Sequence, residues 1–122
     1  MTRVLLVEDN LENADYTIRV LESASYEVCH TVRGLDGMRL VRRERLDLIL
    51  LDLDLPDING LTMARMLKTQ LGQAAPPIIA VTAQTGVQEM NRAADFGCDA
   101  FVSKPFLPDE LLQVILVVLN ME

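Results

Sequence analysis

The stretch DLILLDLDLPDING at residues 47–60 decides the fold. Its centre, 48–51, is a short and wholly apolar run, and Asp52 follows directly. Such a run is typical of a parallel strand inside a sheet that is covered on both faces. The apolar run IIAV at 78–81 repeats the pattern and is followed by Thr82. Both runs are therefore predicted to be buried strands that end at polar residues.

Outward from this stretch, strand patterns alternate five times with amphipathic helix patterns. Strands are predicted over 3–7, 26–31, 47–51, 77–81 and 100–103, and helices over 11–23, 35–45, 61–71, 87–96 and 108–119. Asn10 is the predicted N-cap of the first helix, and the weak second strand is expected at an edge. Alternating strands and helices imply right-handed crossovers and a parallel sheet. The chain is therefore predicted to be one α/β domain over residues 1–122 with an open, doubly wound five-stranded sheet.

Composition limits the classes of function. The 122 residues suffice for one domain, and the formal net charge of −7 argues against nucleic-acid binding, which uses clustered Lys and Arg. The densest basic run, Arg42, Arg43 and Arg45, is interpreted as the solvated end of a helix. Cys29 and Cys98 are expected to be buried free thiols in a reducing compartment. No stretch reaches the roughly 18 apolar residues of a membrane span, and the start does not fit a signal peptide.

Polar residues suited to phosphate and metal chemistry follow four of the five predicted strands. The carboxyl ends of parallel strands are where open α/β sheets bind ligands. If the first and third strands are neighbours, the strand order is 2-1-3-4-5, and Asp9 and Asp52 face each other across one cleft. The polar residues are Glu8 and Asp9 after the first strand, Asp52 and Asp54 after the third, Thr82 after the fourth, and Lys104 after the fifth.

Carboxylates that crowd one cleft repel each other, by about 4 kcal/mol for two charges about 4 Å apart at an effective dielectric near 20. A metal, a lysine or raised pKa values must offset this repulsion. Mg²⁺ commonly takes one or two carboxylates together with water and phosphate oxygens. An ionised carboxylate needs no general base to attack phosphorus, only charge neutralisation and in-line positioning. The set therefore favours phosphoryl transfer to a carboxylate, with Mg²⁺ (or Mn²⁺), Lys104 and the Thr82 hydroxyl on the phosphoryl oxygens.

Each residue taken alone has a simpler structural explanation. An acid after a strand is commonly a helix cap or a turn residue. Thr82 could be an N-cap, and Lys104 a surface lysine before a proline. Asp57 and Asn59 in the segment PDING fit turn chemistry. The functional interpretation depends on the combination of residue types at one edge of the sheet.

The segments VLLVEDN, DLILLDLDLPDINGL, AVTA and CDAFVSKPF, in this order and spacing, resemble the receiver domain of response regulators in two-component signalling. The resemblance covers essentially the whole chain and implies a flavodoxin-like (βα)5 fold. It also implies a phosphoryl-accepting switch that takes part in its own phosphorylation and dephosphorylation and is not a conventional enzyme.

The resemblance implies a role for each motif residue. The implied metal ligands are Glu8, Asp9, the phosphoryl acceptor Asp52 and the backbone carbonyl of Asp54. The implied phosphoryl-binding residues are Lys104 and Thr82, and the implied switch residues are Thr82, Ala83, Phe101 and Pro105, the last of which usually follows a cis peptide. Phosphorylation would draw Thr82 toward the phosphoryl oxygens, and Phe101 would fill the vacated space.

The resemblance also implies partners. A histidine kinase or a phosphotransfer protein would donate the phosphoryl group, and a downstream protein would bind the changed surface near the fourth and fifth units. The implied location is the cytoplasm, without direct contact to nucleic acid or membrane.

Two features depart from the usual pattern. Phe101 has no hydroxyl that could form a hydrogen bond after rotation. Asp54 places an extra carboxylate beside the acceptor, at a position that the family leaves variable. We expect Asp54 to alter the lifetime of the phosphoryl group, either because it strengthens metal binding or because it repels the phosphoryl donor.

The last predicted helix, LLQVILVVL at 111–119, is unusually apolar. One helical face accommodates about half of these residues, and the expected inward set is Leu111, Leu112, Ile115 and Leu119. The other apolar residues, Val114, Leu116, Val117 and Val118, cannot all point inward. We predict that some of them form a surface contact, for a homodimer partner or for a neighbouring segment. The alternative is a helix tucked between the sheet and its flanking helices.

Two other functions fit parts of the sequence. LLDLDLPD also resembles the first motif of haloacid-dehalogenase-type phosphatases, in which two aspartates follow a strand two residues apart. Here the motif lies at the third strand, after a separate acidic pair, and the chain is short for that fold. A degenerate receiver that acts only as an interaction module would lack an acid, the hydroxyl or the lysine, and this sequence has all of them.

Overall fold

Five parallel strands form one sheet in the order β2-β1-β3-β4-β5. The computed structural model describes residues 1–84 and 86–121. The strands are β1 (Arg3–Val7), β2 (Glu27–Thr31), β3 (Leu48–Asp52), β4 (Ile78–Thr82) and β5 (Ala100–Ser103). The helices are α1 (Leu11–Ser23), α2 (Gly34–Arg43), α3 (Gly60–Leu71), α4 (Val87–Asp95) and α5 (Pro108–Leu119). The doubly wound α/β fold, the strand order and the edge position of the second strand are confirmed.

The sheet separates two apolar cores. Successive residues of a strand point to opposite faces, so Leu50 packs with α1 and α5 while Ile49 and Leu51 pack with α2, α3 and α4. All five residues of β3 are buried. This two-sided burial explains why the central strand is an uninterrupted apolar run.

Asp52 and Thr82 are the last residues of their strands, whereas the sequence patterns placed both just beyond the strand ends. The parallel ladder continues at these positions because the Leu53 N–H donates to the Val81 carbonyl at 3.2 Å and the Lys104 N–H donates to the Thr82 carbonyl at 2.9 Å. Both polar side chains are therefore positioned by the sheet itself and not by the following loops.

Helix α2 starts at Gly34 and ends at Arg43, so the predicted span 35–45 was wrong at both ends. The backbone of Glu44 is extended, with φ −116° and ψ 151°. This extension brings the buried Leu46 into the core. Arg42, Arg43 and Arg45 are exposed, as expected for a solvated helix end.

Helix α5 buries Leu111, Ile115 and Val118, a spacing of four and three residues along one face. The predicted inward set was therefore wrong in part: Val118 is buried, whereas Leu112 and Leu119 are only half-buried at the edges of the core. The helix does leave apolar side chains outside the core: Leu116 is 49% exposed and Val117 is 60% exposed.

Both cysteines are free thiols. Cys98 is buried, and burial raises its pKa to about 11, so the thiol is inert at neutral pH. Cys29 is only half-buried, contrary to the prediction, because β2 is an edge strand; its Sγ lies 3.3 Å from Nη2 of Arg3. Among the residues that the structure describes, no helix is long and apolar enough to cross a membrane.

Candidate functional site

Three carboxylates converge at the carboxyl edge of the sheet. Strands β1 and β3 are neighbours, with Val7 opposite Leu51, so the residues that follow them lie side by side. Oxygen atoms of Glu8, Asp9 and Asp52 lie within 4.8 Å of one another. Glu8 and Asp52 are buried, with 3% and 4% exposure, whereas Asp9 is exposed.

Lys104 bridges the two buried carboxylates. Its Nζ donates to Oε1 of Glu8 at 2.8 Å and lies 3.3 Å from Oδ2 of Asp52. Burial alone would lower the pKa of the lysine, but the hydrogen bond to Glu8 and the charge of Asp52 outweigh burial and raise this pKa above its usual value. The side chain is therefore a permanent cation at neutral pH.

Asp52 is the carboxylate whose protonation is most perturbed. Burial, followed by the hydrogen bond with Glu8, raises its pKa to about 6. The Asp54 N–H donates to Oδ1 of Asp52 at 2.9 Å and favours the charged form, as does Lys104. A pKa of about 6 still lies below neutral pH, so Asp52 is mainly ionised there. Two of the three factors expected to offset the repulsion between the carboxylates are thus present: a lysine and a raised pKa.

Thr82 places its hydroxyl on the neighbouring strand. The side chain is 2% exposed, and its Oγ1 accepts a hydrogen bond from the Gln84 N–H at 3.1 Å. Ala83 is exposed and lines a cleft of about 500 Å³ together with Lys104 and Pro105. Thr82 itself lines a second cleft, of about 230 Å³, with Asp54 and other residues. A small incoming group can therefore reach the carboxylates from solvent.

The remaining predicted residues lie around this cluster. The Lys104–Pro105 peptide bond is cis, as the resemblance implied. Phe101 lies on β5 opposite Ala80, two residues before the end of the strands, and its ring is half-buried against the core that α4 covers. Phe101 is thus near the site but outside the carboxylate cluster.

Two contacts were not anticipated from the sequence. Nε2 of His30, on β2, lies 2.9 Å from the carbonyl oxygen of Glu8 and donates to it, since a carbonyl only accepts. Asp57, interpreted above as a turn residue, has a buried side chain that accepts from the N–H groups of Gly34 and Leu35 on α2. Both contacts join residues more than 20 positions apart, so no local pattern could indicate them.

The donor set fits a hard divalent cation. Glu8, Asp9 and Asp52 offer only carboxylate oxygens, and the carbonyl of Asp54 follows on the same loop. Oxygen-only ligands with partial access to water match the preference of Mg²⁺. The Asp54 side chain itself is exposed.

Comparisons with known protein sequences identify the relatives of this chain. The sequence model of the response regulator receiver domain matches residues 4–116. The chain is 36% identical over 112 residues to the polar-differentiation response regulator DivK of Brucella anthropi, covering 92% of this chain and 91% of DivK.

Solved structures are similar over nearly the whole chain. The receiver domain of a sensor histidine kinase from Pseudomonas aeruginosa, with a magnesium ion coordinated in the active site cleft, superposes with a TM-score of 0.89 at 30% identity, covering 98% of each chain. A CheY-like receiver domain protein of Methanospirillum hungatei superposes with a TM-score of 0.89 at 28% identity, covering 98% of this chain and 94% of that one.

Proposed function

The chain belongs to the response regulator receiver domain family of two-component signalling, and we propose that Asp52 is the residue that accepts the phosphoryl group. One observation carries the proposal: Asp52 lies within 4.8 Å of two further carboxylates, with Lys104 bridging Glu8 and Asp52. A buried nucleophile, a half-buried cation and hard oxygen ligands at one point suit phosphoryl transfer.

The donor is a phosphorylated histidine of a kinase or a phosphotransfer protein. One carboxylate oxygen of Asp52 forms a bond to phosphorus as the bond from phosphorus to the imidazole nitrogen breaks. The electron pair of the broken bond stays on that nitrogen, and the ring leaves as neutral imidazole because its other nitrogen carries a proton. The Asp54 N–H, 2.9 Å from Oδ1, fixes the rotation of the carboxylate and so orients the attacking oxygen.

Positive charge comes from two sources. Glu8, Asp9, Asp52 and the Asp54 carbonyl would hold Mg²⁺ (or Mn²⁺), which supplies charge neutralisation for the phosphoryl oxygens. Lys104 supplies a second cation, which shifts from its carboxylate partners toward the phosphoryl oxygens. The Thr82 hydroxyl donates a hydrogen bond to one of these oxygens, and the exposed Ala83 leaves room for backbone N–H groups.

The response is a shift of population on the surface formed by α4, β5 and α5. Phe101 is half-buried beside α4, and Ala93 is the buried residue that anchors this helix. A helix with so little buried surface repacks at low cost when Thr82 moves. A downstream protein in the cytoplasm would bind this surface, so the domain acts as a switch and not as a conventional enzyme.

The experiment is phosphorylation by acetyl phosphate, followed by intact-protein mass spectrometry with and without a chelator. Wild type should gain the mass of one phosphoryl group, and the chelator should prevent the gain. Asp52→Asn should lose the gain, whereas Asp54→Asn, a matched loss of one carboxylate two residues away, should retain it. A persistent gain in Asp52→Asn would overturn the assignment, and rapid turnover of phosphate monoesters would favour the phosphatase alternative.

A further inference from the structure

The loop between β3 and α3, residues 53–59, is attached to α2 through one buried carboxylate. Asp57 accepts from the Gly34 N–H at 2.9 Å and from the Leu35 N–H at 3.0 Å, and its side chain is 6% exposed. Helix α2 has no cap of its own, since its N-cap residue, Arg33, forms no side-chain capping hydrogen bond. Asp57 therefore caps α2 from a different part of the chain.

Apolar contacts surround this cap. A Cβ atom on Gly34 would collide with Cγ2 of Ile58 and lie 3.1 Å from Cδ1 of Leu55. The Ile58 and Leu55 side chains of the loop thus lie directly against the first turn of α2, and glycine leaves the space for them. The contact is too close to be an incidental approach of a surface loop.

The charge of Asp57 suits this position. Burial would raise the pKa of the carboxyl, but the N–H groups of Leu35 and Gly34 and the Arg33 guanidinium outweigh burial and lower it. The carboxylate stays ionised at neutral pH and meets the positive end of the α2 dipole.

The same loop carries backbone groups that the acceptor site uses. The Asp54 N–H donates a hydrogen bond to Oδ1 of Asp52, and the Asp54 carbonyl is one of the proposed metal ligands. At its far end the loop is fixed by Asn59, whose side chain caps α3 by accepting from the Leu61 N–H at 2.9 Å. Between these points, the Asp57 side chain attaches the loop to α2, whereas the loop itself connects β3 to α3.

We propose that Asp57 is a positioning residue for the acceptor site: by capping α2 it holds the 53–59 loop so that the backbone of Asp54 faces Asp52. This inference rests on the proposed function of Asp52 and extends it to the element that aligns the site. In this arrangement the N-terminus of α2 helps to position the metal and phosphoryl site through Asp57.

The test separates positioning from stability. Asp57→Ala should lower the thermal midpoint and weaken the binding of Mg²⁺ to the unphosphorylated protein by roughly tenfold, as for other groups that orient metal ligands. The control is Glu110→Ala, which removes the carboxylate that accepts from the Leu107 N–H at 3.1 Å at the start of α5. It should lower the midpoint without changing the Mg²⁺ affinity measured by titration calorimetry. Asp57→Asn keeps one acceptor oxygen, for one of the two N–H groups, so it should lose less Mg²⁺ affinity than Asp57→Ala.

Unchanged Mg²⁺ affinity in a folded Asp57→Ala protein would overturn the inference, and so would an equal loss in Glu110→Ala. If Asp57→Ala does not fold, Asp57→Ser decides, because serine caps helices but is too short to span both N–H groups. Wild-type Mg²⁺ affinity together with wild-type hydrogen exchange at the Asp54 amide in Asp57→Ser would overturn the inference. Failure of the acceptor assignment is distinguishable, because the phosphoryl mass gain would then persist in Asp52→Asn whatever happens at Asp57.

Discussion

At the scale of the residue, the charge of Asp52 is unfavourable whenever no metal ion is bound beside it, because burial outweighs the neighbouring Lys104. Its pKa of about 6 lies above its ordinary value of 3.8, so the folded protein binds this proton more tightly than the unfolded chain does. The contribution of Asp52 to stability is complete below the unfolded pKa and is lost as the pH rises through about 6. A shift of about two pKa units corresponds to roughly 3 kcal/mol.

Asp52→Asn should therefore stabilise the fold in the presence of a chelator. We expect the free energy of unfolding to rise by up to about 3 kcal/mol at pH 8, and by about half as much at pH 5. Urea denaturation at the two pH values measures both. Asp54→Asn, which removes an exposed carboxylate, should show no such pH-dependent gain. Equal stability of Asp52→Asn and wild type at pH 8 would contradict the burial argument.

Asp54 is the second acid whose charge bears on the site. Its side chain is exposed and lines the cleft of about 230 Å³ with Arg92 and Glu89, close to the proposed metal ligands. Asp54→Asn should weaken Mg²⁺ binding by roughly two- to fivefold at low salt, because one attractive charge is lost, and less at high salt. Calorimetric titration gives the affinity, and decay of the phosphorylated form gives the lifetime. If both are unchanged, Asp54 is only a solvated loop residue.

At the scale of the element, the contact between α2 and the 53–59 loop depends on the absence of a side chain at Gly34. Gly34→Ala would place a methyl group against Ile58, Leu55 and, at 3.4 Å, the Met63 sulfur. Overpacking of this kind costs about 1–3 kcal/mol, more than alanine gains in helix propensity. Gly86→Ala is the control, since its methyl group would meet only the movable Glu89 carboxylate. If the thermal midpoints of both variants equal that of wild type, the loop side chains move aside without a measurable loss of stability.

The strands and helices were predictable because the spacing of apolar residues along the chain indicates which side chains are buried. The wholly apolar run of β3 and the later run IIAV needed no partner to be interpreted as buried strands. Their ends were less predictable, because the hydrogen bond from Leu53 to Val81 joins two strands and leaves no trace in either sequence. The same reason hides Asp57: its partners, Gly34 and Leu35, lie 23 and 22 residues away.

At the scale of the whole molecule, charge and apolar surface are separated. The chain carries a formal net charge of −7, and part of that charge is concentrated at the carboxyl edge of the sheet. Residues 111–121 contain no charged side chain at all. The exposed side chains of Leu116, Val117 and Met121 lie on this uncharged stretch, and a shallow apolar cleft of about 220 Å³ beside β5 adjoins it. Two copies of the chain can therefore meet through α5 without repulsion between like charges on this helix.

We expect this surface to mediate a weak homodimer that phosphorylation strengthens, because α5 is part of the surface proposed to respond to Thr82 and Phe101. Multi-angle light scattering at high protein concentration, with and without beryllofluoride as phosphoryl analogue, measures the association. Leu116→Glu should weaken it by roughly tenfold or more, since burial of one leucine contributes about 1.5–3 kcal/mol, and should leave the thermal midpoint unchanged. Leu35→Glu is the matched control, because Leu35 on α2 is 44% exposed against 49% for Leu116. A monomer in every condition would mean that the apolar side chains of α5 serve a different partner, and equal dissociation by both variants would mean that added charge alone, and not this face, controls the association.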